Sequence, residues 1–207
     1  DHQRADSLGM VQAGTEVTPR LNRLVGESAV FERAYTTCPL CVPARTALAT
    51  GLYPTRNGVV FNDVAGRRAG DFAPIHQVLF EAGYEVAHVG VHHVRLRPGL
   101  RERAAFSAWF GDPDYARYLA AAGVPDQSGE VINAFRREVV ELQDGRRVRK
   151  TYSNTNTAPW PYAAEHFKDF VFSRKAAEWL RGPRRRPFAL FVCLWAPHPP
   201  LPLVRPV

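Results

Sequence analysis

An uninterrupted apolar run covers residues 188–195 (FALFVCLW). A strand that is apolar on both faces needs cover on both sides of its sheet, and parallel sheets flanked by helices provide that cover. Residues 84–91 (YEVAHVGV) also read as a buried strand, and they follow a helical pattern in residues 74–82 that ends at Gly83. This alternation of helix and strand predicts an α/β fold, in which a central, largely parallel mixed sheet has helices on both faces.

Weaker patterns predict the other elements of the chain. The remaining predicted helices cover residues 17–27, 45–50, 112–122 and 163–181. Gly51 is the expected end of the second of these helices, because glycine readily adopts the left-handed conformation found at helix C-termini. Residues 28–35 (SAVFERAY) mix apolar, aromatic and charged side chains and predict a short strand. Residues 123–162 are polar and partly rich in proline, so no element is predicted there.

Composition and charge limit the classes of partner. The chain has 207 residues, of which 45% are apolar, so it is long enough to bury one sizeable core. Its 27 Lys and Arg against 20 Asp and Glu give a net charge of +7, which suits anionic ligands. The densest basic group, residues 181–186 (RGPRRR), contains Gly and Pro and is typical of a solvated loop. No stretch approaches the roughly 18 apolar residues of a membrane span, so we expect neither a nucleic-acid nor a membrane partner.

The three cysteines raise a separate question, because Cys38 and Cys41 have C-x-x-C spacing while Cys193 stands alone. An odd number of cysteines does not describe a disulfide framework, so the redox compartment and the cellular location stay open. A thioredoxin-like pair at a helix N-terminus fits the local context, but nothing else in the chain indicates a redox fold. A zinc site would need a second pair of ligands with matching spacing. For Cys38 and Cys193 we therefore expect buried structural thiols.

Cys41 also opens a longer and more specific pattern, CVPARTALATGLYPTRNGV, in which Cys-x-Pro-x-Arg is followed by a short helix, Thr-Gly and Tyr-Pro. Type I sulfatases carry their nucleophile in this context. The chain therefore resembles the N-terminal part of a type I, formylglycine-dependent sulfatase, within the alkaline-phosphatase-like superfamily. The resemblance implies that residues 1–207 are the N-terminal portion of a single catalytic domain, with a sheet that is incomplete at both ends.

The resemblance implies a covalent mechanism built on Cys41. A formylglycine-generating enzyme would oxidise this cysteine, and the hydrated aldehyde would attack the sulfate ester of a small molecule or a glycan. A hydroxyl at a helix N-terminus lies at the positive end of the helix dipole, which favours an anionic sulfate and a deprotonated nucleophile. Deprotonation of the second hydroxyl then expels sulfate and restores the aldehyde. Arg45, one turn into the helix, would hold the hydrate or the sulfate through its fork of donors.

The first residues, DHQRAD, resemble the strand-end turn at which sulfatases bind a metal. The resemblance implies Asp1 and the modified Cys41 as ligands of a divalent cation, and Ca²⁺ is expected because hard cations take carboxylate oxygens. His2 departs from the family pattern, since imidazole is a poor calcium ligand. Either this second position is not a ligand, or the metal is softer, such as Mn²⁺ or Zn²⁺.

Two further segments resemble strand ends of the family's site. Residues 90–93 (GVHH) align with the family's Gly-Lys-x-His, so His93 is implied as a residue that assists the nucleophile, while Val91 replaces the lysine. Residues 196–199 (APHP) resemble the family's Pro-His-x-Pro. The histidine of that pattern, here His198, is implied to face the sulfate and the leaving oxygen. Ligands of open α/β sheets gather at the carboxyl ends of the strands, so we expect these residues to converge on one site.

The replacement of the lysine leaves alternatives open. Phosphonate monoester hydrolases of the same superfamily also lack it and bring an asparagine from the segment after the nucleophile helix, where Asn62 lies in this chain. This alternative implies substrate binding by Asn62 and cleavage of phosphodiesters or phosphonate monoesters. A non-catalytic descendant that binds anions is a third interpretation, suggested by Val91 and His2. The family's remaining metal ligands and second lysine have no counterpart in these residues, so this portion alone is not expected to be active.

Overall fold

Three parallel strands form the centre of the structure, a computed structural model that describes residues 3–62, 69–70, 72–125, 137–152, 157–198 and 201–204. The α-helices are α1 (Pro19–Val25), α2 (Cys41–Thr50), α3 (Pro54–Asn57), α4 (Ile75–Glu81), α5 (Leu100–Arg103), α6 (Asp112–Ala121) and α7 (Lys168–Arg181). Short 3-10 helices cover Ala5–Ser7 and Ala164–His166. The strands are β1 (Val11–Gln12), β2 (Thr15–Glu16), β3 (Glu85–Gly90), β4 (Phe106–Phe110), β5 (Arg137–Gln143), β6 (Arg146–Tyr152), β7 (Thr157–Pro159), β8 (Phe188–Cys193) and β9 (Leu201–Leu203).

The central sheet has the order β4-β3-β8, and both of its strand pairs are parallel. β3 and β8 confirm the strands predicted from residues 84–91 and 188–195, and their parallel pairing confirms the predicted α/β class. Within the described residues, β8 lies at the edge of this sheet, although its apolar run is typical of a central strand. The side chains of Phe188 and Val192 are accordingly 44% and 43% exposed.

Helices cover both faces of β3, because consecutive residues of a strand point to opposite sides. Val89 belongs to an apolar cluster with Leu119 of α6 and Phe172 of α7. On the other face, the His88 ring lies 6.1 Å, centroid to centroid, from the His76 ring of α4. A second apolar cluster joins α2 to the segment after β3, and its buried members are Val42, Ala49, Val59, Ala69, Val94, Leu96 and Leu100. The predicted layers of helix on sheet are therefore present.

The helix that follows the C-x-x-C pair begins at Cys41, earlier than the predicted span of residues 45–50. Its first turn is extended by a partner that is remote in sequence, because the Oδ1 atom of Asn62 accepts a hydrogen bond from the Val42 N–H at 3.0 Å. The helix ends as predicted at Gly51, whose φ of 67° is left-handed and whose N–H donates to the carbonyl of Ala47. The structure also contains the helices predicted in residues 17–27, 74–82, 112–122 and 163–181, the last of them as α7 after a 3-10 turn.

The strand predicted in residues 28–35 is absent: this described segment is irregular. Its apolar side chains are exposed, with Phe31 at 83% and Tyr35 at 88%. Among the described residues, neither a partner strand nor a packed face is therefore available to hold an extended conformation.

The polar region in residues 123–162, for which no element was predicted, contains an antiparallel hairpin of β5 and β6. The turn at Asp144-Gly145 has positive φ at both residues, 51° and 75°, which is the geometry that the Asp-Gly dipeptide favours between two strands. This dipeptide was the available signal for the hairpin. Across the described ranges of the chain, none of the helices combines the length and the apolar character that crossing a bilayer requires.

Candidate active site

Cys41 is the first residue of α2 and lines an open cleft of about 540 Å³. The cleft is also bordered by Gln3, Cys38 and Arg45. Its position gives Cys41 the positive end of the α2 dipole together with access to solvent. An anionic group entering this cleft would meet the helix N-terminus and a guanidinium at the same time.

Asn62 lies beside the start of the same helix. Its Oδ1 atom accepts the Val42 N–H, so the Asn62 side chain is held next to the residue that follows Cys41. The structure therefore brings the predicted substrate-binding residue to the predicted nucleophile. Asn62 also stabilises the helix, since its side chain satisfies one of the N–H groups that a helix start leaves without an intrahelical partner.

Arg45 joins α2 to the end of β3. Its Nη1 atom donates a hydrogen bond to the carbonyl oxygen of Val91 at 2.9 Å. Burial lowers the pKa of His93, and the charge of Arg45 lowers it further. His93 is therefore within electrostatic range of Arg45. The backbone of His93 has a φ of 49°, a left-handed conformation that few residues other than glycine adopt. Such local strain is often found where a functional side chain has to be aimed in one direction.

His198 lies beyond the end of β8, on a turn closed by a hydrogen bond from its own N–H to the carbonyl of Trp195 at 3.0 Å. Its ring packs on the Trp195 ring with 4.0 Å between the centroids. His198 also lowers the pKa of His93, and so the two histidines are within electrostatic range of each other. Arg45 thus borders the cleft of Cys41 and lies within electrostatic range of His93, which in turn is within range of His198, so the start of α2 is linked to the ends of two adjacent parallel strands.

Comparison with known proteins decides the family, since the sulfatase family model matches residues 1–205. The chain belongs to the sulfatase family. Among its relatives, the dog (Canis lupus familiaris) N-acetylgalactosamine-6-sulfatase is 28% identical over 220 residues, which cover 96% of this chain and 38% of the relative. The multifunctional alkaline phosphatase superfamily protein PehA of Trinickia caryophylli is 28% identical over 194 residues, covering 88% of this chain and 36% of PehA. The chain therefore spans less than half the length of these relatives.

The fold is also similar to that of a solved structure. The phosphonate monoester hydrolase of Agrobacterium radiobacter superposes with a TM-score of 0.69 at 22% identity, over 98% of this chain and 41% of the hydrolase. At this level of identity the superposition shows a shared alkaline-phosphatase-like fold. It agrees with the α/β layers described above.

Val91 occupies the position of the lysine in the sulfatase pattern, and it is a core residue here. Its side chain is 1% exposed and belongs to the apolar cluster with Leu119 and Phe172, while its carbonyl holds Arg45. This member of the sulfatase family therefore has an aliphatic side chain packed into its interior where the pattern has a cation. The neighbouring His92 packs on Trp109 with 5.3 Å between ring centroids.

The predicted metal ligands Asp1 and His2 lie outside the described residues. Gln3, the first described residue, lines the cleft that contains Cys41. No group of three or more His, Cys, Asp or Glu side chains is arranged to hold a metal ion within the described residues. A carboxylate from Asp1 and an oxygen from a modified Cys41 would form a hard donor set of the kind that fits Ca²⁺.

The other two cysteines differ from the prediction that they are buried. Cys38 and Cys193 are both partly exposed, and all three cysteines are free thiols. Cys38 lines the same cleft as Cys41, because the chain bends there before α2 begins. Cys193 ends β8 and borders a small apolar cavity of about 60 Å³.

That cavity is lined by a group of histidines that sequence reasoning did not assign to the site: His76, His88 and His92. His76 and His88 are only 4% and 2% exposed, and both ring nitrogens of His76 and the Nδ1 atom of His88 lack a hydrogen-bond partner. Burial lowers the pKa of His76 to about 4, that of His88 to about 3 and that of His92 to about 4. These histidines are therefore neutral near pH 7 and pack as aromatic rings behind Arg45.

We expect this histidine group to make the fold sensitive to acid. In the unfolded chain each imidazole binds a proton near its ordinary pKa of 6.5, whereas the folded chain resists protonation until about pH 4 or pH 3. The contribution of these neutral histidines to the free energy of unfolding is therefore fully present above about pH 6.5. It is lost as the pH drops toward 4, by on the order of several kcal/mol in total. Urea unfolding between pH 7.5 and 4.5 measures this loss.

His76→Phe is the matched variant, because the His76 ring already packs against Phe191 with 3.8 Å between centroids. Removing one titrating group should flatten the dependence of stability on pH in this interval. An unchanged slope in the variant would show that other groups cause the acid sensitivity.

Proposed function

We propose that the protein hydrolyses sulfuric esters with a formylglycine nucleophile made from Cys41. The observation that carries the proposal is the position of Cys41, which begins α2 in a cleft that Arg45 also lines. Electrostatic coupling of His93 to both Arg45 and His198 supports a single site around this cleft. Membership of the sulfatase family points to the same activity. Residues 1–207 are then the N-terminal portion of a single catalytic domain.

The surroundings of each residue support a distinct role. The formylglycine hydrate supplies the attacking hydroxyl at the positive end of α2. Arg45, anchored on the Val91 carbonyl, presents its guanidinium to the oxygens of the sulfate. His93 is kept neutral by burial and by the nearby Arg45 charge, so it can accept the proton of the attacking hydroxyl. His198 faces the leaving oxygen and protonates it as the ester bond breaks.

The proposal includes a divalent cation, Ca²⁺, with Asp1 and the modified Cys41 side chain as its ligands. His2 would join them only if the cation is softer, such as Mn²⁺ or Zn²⁺. When bound, the cation would offset the negative charge of the sulfate oxygens. The partners of the protein in this proposal are a small-molecule or glycan sulfate ester and, during maturation, a formylglycine-generating enzyme.

Hydrolysis of phosphonate monoesters or phosphodiesters is the second candidate function. Two observations favour it: Val91 is buried in the core in place of the lysine, and the Asn62 amide lies at the start of α2. The Asn62 amide offers a neutral hydrogen-bonding group beside the nucleophile, where the sulfatase pattern supplies the charge of a lysine. The relative activity toward sulfate monoesters and phosphonate monoesters distinguishes the two functions.

The conversion of Cys41 is the first test. The protein is co-expressed with a formylglycine-generating enzyme, and the peptide that contains Cys41 is measured by mass spectrometry. We expect a loss of about 18 Da at Cys41, the difference between a thiol and an aldehyde. A folded protein in which Cys41 stays a thiol would contradict the proposal and would favour a non-catalytic anion-binding role.

A further inference from the structure

The turn that carries His198 is held by a carboxylate from another element. The two oxygens of Asp169 accept hydrogen bonds from the backbone N–H groups of Trp195 and Ala196, each at 2.7 Å. Both bonds are short and charge-assisted, a type roughly twice as strong as a bond between neutral groups. Asp169 is in the first turn of α7, where a negative charge is also favoured by the helix dipole.

These two bonds fix the segment immediately before His198. The Trp195 carbonyl accepts the His198 N–H, and the Trp195 ring packs on the His198 ring at 4.0 Å between centroids. The turn is therefore held at its first two N–H groups by Asp169, and it holds His198 through one backbone bond and one ring contact. A change at Asp169 would be transmitted to the imidazole through Trp195.

The residue before Asp169 strengthens the same attachment. Lys168 forms an ion pair with Asp112 at 2.8 Å and places its ammonium 5.0 Å from the centroid of the Trp195 ring. Asp112 also acts on the other histidine of the site, because its charge raises the pKa of His93 and opposes the effect of Arg45. The start of α7 thus contacts the His198 turn through a backbone clamp and an aromatic contact.

We propose that Asp169 is a positioning residue for His198, aiming its imidazole at the leaving oxygen by clamping the Trp195 and Ala196 N–H groups. This role rests on the proposed function, in which His198 protonates that oxygen. Asp169 does not itself touch the substrate. Its contribution is to keep His198 in one orientation, so that the reaction does not have to select that orientation from several.

The test compares Asp169→Asn with Asp114→Asn in the protein matured with formylglycine. Asparagine keeps the size of the side chain but offers only one acceptor, so the second N–H of the turn loses its partner. Asp114 is the matched control, because its Oδ2 atom likewise accepts a backbone N–H, that of Gly111 at 2.8 Å, at the start of α6. Asp114→Asn removes the same charge near a helix start but keeps an acceptor for the Gly111 N–H and loses the ion pair of Asp114 with Arg117, which has no attachment to His198.

We expect kcat of Asp169→Asn to fall by roughly 10-fold to 100-fold with little change in KM, while Asp114→Asn stays within about 3-fold of the parent. The loss should be larger for aryl esters with poor leaving groups, such as unsubstituted phenol, than for 4-nitrophenyl esters, because only poor leaving groups need the proton. Equal losses in the two variants, or a loss independent of the leaving group, would overturn the proposal.

A measurement without turnover separates this proposal from the proposed function. Amide hydrogen exchange at Trp195 and Ala196, and the NMR signal of the His198 ring, should change in Asp169→Asn and stay constant in Asp114→Asn. If the parent protein hydrolyses no ester, the proposed function fails, whereas a selective change in these signals still supports the clamp on His198. Unchanged exchange and an unmoved His198 signal in Asp169→Asn would overturn the clamp even if the enzyme is active.

Discussion

Replacing Cys41 with alanine is expected to lower kcat for ester hydrolysis by at least about 10⁴-fold, because the alanine side chain cannot become the nucleophile. The fold should be retained, since Cys41 is only partly buried at the first position of α2. The measurement is the turnover of a chromogenic aryl sulfate, paired with the circular dichroism spectrum. Residual activity within about 10-fold of the parent would exclude Cys41 as the nucleophile.

Two companion variants define what Cys41 does. Cys41→Ser keeps a hydroxyl but has no second hydroxyl with which to expel sulfate, so we expect at most one turnover per protein molecule. Cys38→Ala tests the redox alternative, because Cys38 lines the same cleft with C-x-x-C spacing. A formylglycine mechanism predicts that Cys38→Ala stays active. A redox pair predicts that both cysteines are required.

Replacing Gly90 with alanine is expected to have the largest effect on folding. Gly90 ends β3 with a φ of 109°, and an added Cβ would lie 2.1 Å from the carbonyl oxygen of Cys193 and 2.7 Å from its carbonyl carbon. Both contacts are with the backbone of the paired strand, so relief requires the strands to separate. We expect a loss of at least about 4 kcal/mol in the free energy of unfolding, comparable to the most severe core substitutions.

Gly83→Ala separates the two causes of this effect. Gly83 also has a positive φ, 87°, but an added Cβ there meets no atom within 4 Å. Only conformational strain remains, which costs about 1 to 2 kcal/mol. Urea unfolding of both variants gives the comparison. If the two substitutions cost the same, the close approach of β3 and β8 would not be the reason for glycine at position 90.

The sequence was sufficient for the parts of the fold that depend on local pattern. The apolar runs predicted β3 and β8, and Gly51 ended α2 where its left-handed conformation was expected. The helical pattern alone predicted α2 only from residue 45, because the bond from the Val42 N–H to Asn62, 20 residues later, cannot be read from the helix's own sequence. Only the resemblance placed Cys41 at a helix N-terminus. The strand predicted in residues 28–35 failed for a related reason, since a strand needs a partner that its own sequence does not specify.

Some residues of the candidate site could likewise be predicted from the sequence, and others could not. The motif that begins at Cys41 and the Pro-His-Pro segment at His198 each lie in adjacent residues, so their proposed roles could be read from the sequence. The orientation of Val91 was not, because only the packing of α6 and α7 on β3 shows that its side chain belongs to the core. Asp169 was missed because its two bonds reach the backbone of residues 26 and 27 positions away, and an acidic residue in the first turn of a helix ordinarily faces solvent.

The residue-for-residue pairing of β3 with β8 also fixes the relative positions of the two histidines of the proposed site. His93 follows Gly90 by three residues and His198 follows Cys193 by five, and Gly90 and Cys193 are paired opposite each other. A slip of one residue between these strands would reverse the faces of the slipped side chains and separate the two histidines. Changes in substrate preference are therefore expected to leave the register of the sheet unchanged.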